Sequence, residues 1–163
     1  MEIEKCKQIF FKYNGSHFHI DRELGDEYRK CKIPKEIEDQ WLEEIKKVLY
    51  GKVLKTKGNE RISAMTDYIQ IISDEDAIKF LINILHHVEL DTFSSIIIVE
   101  SLKDYLHKNI DSILKQSIKN EINMTKEKIL NNKVIIDDSF KKLPYMKDYD
   151  FSDNAIVDRI NKI

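Results

Sequence analysis

The pair Asn14-Gly15 constrains this chain more than any other feature. It lies between two aromatic-rich runs, Gln8 to Tyr13 and Ser16 to Ile20. Both residues tolerate positive φ, and the pair is the preferred centre of a type I′ turn. A two-residue loop there fixes a hairpin register: Tyr13 faces Ser16, Phe11 faces Phe18, and Ile9 faces Ile20. Gln8, Lys12, His17, His19 and Asp21 fall on the opposite side. An isolated ribbon is marginal in water, so its Ile9/Phe11/Phe18/Ile20 face is expected to rest on helices.

Helices are what the rest of the chain predicts. The 163 residues contain only four Gly and two Pro, a scarcity of breakers that disfavours a many-turned β fold. Pro34 opens the first long periodic stretch, followed by Glu36, Glu38 and Asp39 near the positive end of the helix dipole. Ile37, Trp41, Ile45, Val48 and Leu49 recur at helical spacing, with Gly51 as the expected cap. Residues 52 to 60 read as a polar loop. From Arg61 the stripe Ile62, Met65, Ile69, Ile72 predicts a second helix. Ser73, Asp91 and Asp111 each read as the N-cap of a further one. The helix after Asp91 is apolar around much of its circumference, which places it at the centre. Residues 134 to 136 read as a short strand or an extended packed segment. Leu143-Pro144-Tyr145 is non-helical, and Ser152 or Asp153 caps a last short helix.

The expected architecture is one mostly α domain over 1–163, an N-terminal β-hairpin packed on a helical bundle or a short solenoid. Its parts are a hairpin and short helix over 1–33, a helical core over 34–131, and an irregular segment with a C-terminal helix over 132–163.

Over 76–108 the residues Leu81, Leu85, Asp91, Ser95, Val99 and Leu102 set two amphipathic helices around an acidic corner. This stretch resembles a HEAT or armadillo repeat. The resemblance implies a curved helical surface used to grip other proteins. It carries over no catalytic or binding residue.

Candidate chemistry is sparse. On a strand, His17, His19 and Asp21 would form a His-x-His-x-Asp row, a geometry suited to zinc or iron, with Cys6 as a fourth ligand. A solvated polar face is the plainer account, and no cofactor is expected. His86-His87 sits near a helix end, where histidine interacts favourably with exposed carbonyls, and His107 also closes a helix. The spacing is not His-Glu-x-x-His, and the four glycines are scattered singly, away from any phosphate-cradling motif. Cys6 and Cys31 read as reduced thiols of a cytoplasmic protein. The N-terminus carries no secretory apolar stretch, and no apolar run approaches membrane-spanning length.

Charge supplies the functional expectation. A net charge of −2 gives no general footprint for nucleic acid, and the lysines from Lys115 to Lys147 read as a solvated face. The acids Glu36, Asp39, Glu43 and Glu44 share one helix and could complement a basic protein. The chain is therefore expected to be a non-enzymatic protein-interaction module of the bacterial immunity or adaptor kind. The alternative is a small metal-binding protein or enzyme using His17, His19 and Asp21.

Overall fold

The computed structural model describes residues 3–163, and its first two helices correct the opening expectation. Where a hairpin was predicted, α1 (Ile3–Lys12) and α2 (His17–Leu24) meet at a tight corner, and no strand occurs among the described residues. Asn14 and Gly15 do adopt positive φ, 49° and 73°, but as the two residues after a helix C-terminus. The Asn14 N–H donates to the Phe11 carbonyl (3.1 Å) and the Gly15 N–H to the Phe10 carbonyl (2.9 Å). Those two bonds are the Schellman pattern that closes a helix. Ser16 then caps α2 by accepting from the His19 N–H. Helical spacing buries Cys6, Phe10 and Ile20 and leaves Phe18 71% exposed, so the alternating face never forms.

Nor are the cysteines separate thiols. Cys6 and Cys31 are joined by a disulfide across a 25-residue separation. It ties α1 to the 3₁₀ turn Arg29–Cys31, beside the cluster of Phe10, Tyr28, Trp41, Ile45 and Leu49.

The remaining helices follow the apolar periodicity closely. α3 (Lys35–Lys55) runs through Gly51 without interruption, and α4 (Gly58–Ile69) begins after a two-residue joint in place of the expected loop. Ser73 caps α5 (Asp74–His87), Asp91 caps α6 (Thr92–Leu106), and Asp111 caps α7 (Ser112–Leu130), each with its side chain accepting backbone N–H groups. Helix α6 is central: Phe93, Ile96, Ile98, Val99 and Leu102 are all at most 2% exposed. Ile98, Val99 and Leu102 join Ile78, Leu81, Ile84 and Ile118 in the main core, while Phe93 and Ile96 join a second core with Phe140, Ile156 and Ile160.

Buried Arg61 braces the joint between α3 and α4. Its Nε donates to the Val53 carbonyl (3.0 Å) and its Nη1 to the Glu89 carbonyl (2.6 Å), which ties together α3, α4 and the end of α5. Burial lowers its pKa, opposed by Asp91, Glu89 and Asp137.

The C-terminal segment is extended at first. The Ile135 N–H donates to Thr92 Oγ1 and its carbonyl accepts from the Thr92 N–H, which pins residues 134–136 to the start of α6. Then come α8 (Asp138–Lys141), a 3₁₀ turn Pro144–Met146, and α9 (Asp153–Asn161), capped by Ser152. No helix among the described residues is long and apolar enough to cross a membrane.

Candidate functional site

A cavity of about 710 Å³ opens between α4, α6 and the C-terminal segment. Each wall has a local cause. Asp137 caps α8 through the Ser139 N–H and so sets Phe140 into the floor. Pro144 starts the 3₁₀ turn that carries Tyr145 and Met146 to the rim. Helical spacing on α9 directs Ala155, Asp158, Arg159 and Lys162 along one side.

Aromatic rings make the base rigid. Phe93 meets Phe140 edge-on at 4.8 Å, Phe151 at 5.2 Å and Tyr149 at 5.5 Å between ring centroids. Such pairs add about 0.5–1.5 kcal/mol each beyond the area they bury. Tyr145 stands 77% exposed at the lip.

One charged group is built into this wall. The Arg159 guanidinium lies 4.9 Å above the Phe93 ring centroid and makes a two-pronged pair with Glu100, with Nε–Oε1 and Nη2–Oε2 both 2.7 Å. Its Nη1 donates to the Tyr149 hydroxyl at 2.7 Å. The Glu100 carboxylate, followed by that Tyr149 contact, raises the guanidinium's pKa against the opposing effect of burial. Planar, doubly held and stacked, Arg159 is fixed in place.

Two aspartates, Asp150 and Asp158, line the cavity alongside Arg159 and Lys162. Asp150 accepts from the Ser152 N–H at 2.8 Å, and those Ser152 hydrogen bonds lower its pKa.

The residues singled out from the sequence are dispersed. On α2, His19 is turned away from His17 and Asp21, because i, i+2 positions of a helix do not share a face; His17 and Asp21, at i and i+4, fall on one side but hold different partners. His17 Nε2 lies 3.1 Å from Glu38 Oε2, and Asp21 Oδ2 accepts from Arg29 at 2.6 Å. His19 packs against Phe18, and Cys6 is consumed by the disulfide. No group of three or more His, Cys, Asp or Glu able to hold a metal occurs among the described residues. Glu38 also accepts from the Tyr28 hydroxyl at 2.8 Å, and burial followed by that bond raises the phenol's pKa.

Of the four α3 acids expected to meet a partner, Glu36, Asp39, Glu43 and Glu44, two are engaged: Glu44 with Lys7 at 2.7 Å and Glu43 with Lys46 at 2.6 Å. Glu36 and Asp39 stay exposed. The four do lie on one helix, but half of their charge is met from within the chain.

The sequence reading missed both Arg159–Glu100 and a second pair, His86 Nε2 with Glu121 Oε2 at 2.8 Å. The partners lie 59 and 35 residues apart. Local spacing therefore signalled neither.

Compared with protein-family models, curated proteins and solved structures, the chain matches none.

Proposed function

We propose that this protein is a non-enzymatic binding module that grips a segment of a partner protein in the aromatic cleft. The observation that carries the reading is the combination of an apolar floor (Ile62, Phe93, Ile97, Phe140) with two lining aspartates, Asp150 and Asp158, beside an Arg159 already paired with Glu100. The segment that fits is an apolar anchor flanked by lysine or arginine. The apolar side chains leave water in the cleft, while the flanking cations meet the aspartates and speed the encounter. Exposed Tyr145 supplies the large, two-torsion aromatic surface typical of interface anchors. Glu36 and Asp39 on α3 add a second acidic surface toward the same kind of basic partner.

The test compares capture of a partner by wild-type protein and by three variants. Ile97→Glu abolishes capture by charging the floor, Asp158→Lys weakens it in a salt-sensitive way, and Glu36→Lys leaves most of it intact. Loss that follows Glu36→Lys and Asp39→Lys, with Ile97→Glu unaffected, refutes the cleft reading and moves the surface to α3.

A further inference from the structure

A second cavity, about 360 Å³, lies on the other side of α6, between the end of α5 and α7. Its floor holds Glu121, a glutamate only 8% exposed. A carboxylate taken this far from water carries a penalty of several kcal/mol unless cations or donors meet it. Its partners are His86 Nε2 at 2.8 Å and the Thr125 hydroxyl at 3.4 Å. Among the described residues its one ion-pair partner is that imidazole, which is cationic only when protonated.

The rim has the opposite sign. Lys128 and Lys133 both line the cavity, and neither belongs to an ion pair among the described residues. Glu121, Thr125 and Lys128 sit at i, i+4 and i+7 of α7, so all three face the cavity. Two turns separate the carboxylate from the lysine, roughly 10 Å along the axis. Leu85, Met124 and Ile135 line the same cavity and give it apolar surface.

A buried anion, lysines two helical turns away and apolar lining in one cavity have a natural complement. We infer that this cavity binds a small zwitterion whose ammonium group meets Glu121 and whose carboxylate or phosphate meets Lys128 and Lys133, joined by a short alkyl spacer. The ammonium supplies the full positive charge that the imidazole gives only when protonated. This site is separate from the aromatic cleft and does not depend on how that cleft is used.

Three probes of matched length decide it: 6-aminohexanoate, hexylamine and hexanoate, titrated against the whole protein and followed by the Met124 methyl and His86 ring signals in NMR. 6-Aminohexanoate should shift both signals saturably, bind about tenfold more tightly than hexanoate, which lacks the contact to buried Glu121, and bind about two- to fivefold more tightly than hexylamine, which lacks the contacts to the exposed lysines. Lys128→Ala combined with Lys133→Ala, two exposed changes that leave the core intact, should reduce its affinity to that of hexylamine. Glu121→Gln should remove the preference for the amine while hexanoate binding persists. Ile97→Glu, in the other cleft, should change nothing here. Absence of saturable shifts, equal affinity for all three probes, or full retention of 6-aminohexanoate binding by the double lysine variant overturns the assignment.

Discussion

Gly58 offers a severe test of how the aromatic cleft is held together. It begins α4 with φ of 50°, in the left-handed region. A Cβ at this position would fall well inside contact distance of Ser139 Oγ and the Asp137 carboxylate. Ser139 Oγ is also the acceptor for the Asn59 N–H, at 2.9 Å, so the start of α4 and the cap of α8 share one small space. Gly58→Ala therefore has two costs. The left-handed conformation costs an alanine about 1–2 kcal/mol. Displacing Ser139 leaves the half-buried Asn59 donor unmet, at about another 1–2 kcal/mol. The sum is about 3 kcal/mol, or a fall in Tm of about 6–12 °C for a chain of this size. Urea denaturation followed by circular dichroism reads it directly. Ser139→Ala alone should cost about 1 kcal/mol. In that background Gly58→Ala should cost measurably less than in wild type, because one of the colliding atoms is gone. If Gly58→Ala lies within about 1 kcal/mol of wild type, α4 and α8 are not locked together as described, and the position of Phe140 in the cleft floor loses its explanation.

Three further outcomes can be measured on the same protein. Reducing Cys6–Cys31 should destabilise the chain by about 3 kcal/mol, from the entropy of a 25-residue closure, with two thiols labelled per chain only after reductant is added. Two thiols reacting in untreated native protein would contradict the disulfide. Arg159→Met should cost about 1–2 kcal/mol after allowance for its partial exposure, with Arg159→Lys recovering less than half, since lysine cannot reproduce the two-pronged contact to Glu100. The Asp137 carboxyl is held below the usual carboxylate range, first by the Ser139 hydroxyl and then by its backbone N–H. A folded pKa below the unfolded one adds stability above the ordinary carboxylate range and loses it as pH falls through the folded value. Asp137→Asn should therefore flatten the acid limb of a stability–pH curve and leave the neutral region's slope unchanged.

The sequence carried most of the helical body because its signals are local. Ser73, Asp91, Asp111 and Ser152 each cap the helix expected of them, and the all-round apolar character of Thr92–Leu106 marked the central helix. Asn14-Gly15 was legible only in part. Its positive φ was right, yet a left-handed pair serves a helix C-terminus as well as a hairpin, and only burial of Cys6, Phe10 and Ile20 decides between them. Gly51 shows the converse: a glycine can sit inside a helix when tertiary packing at Leu49 and Val53 holds both sides. The cleft itself was hidden. Its walls come from α4, α6 and α9, and its charged member, Arg159, finds Glu100 across 59 residues, a separation no helical period encodes.

The continuity of α3 has a mechanical consequence. Its 21 residues span roughly 30 Å as a single rod. Trp41, Ile45 and Leu49 are seated in one apolar cluster and Val53 in another. A force or fluctuation at the amino-terminal pair of helices is thus delivered to the main core through a stiff strut, without a slack joint to absorb it.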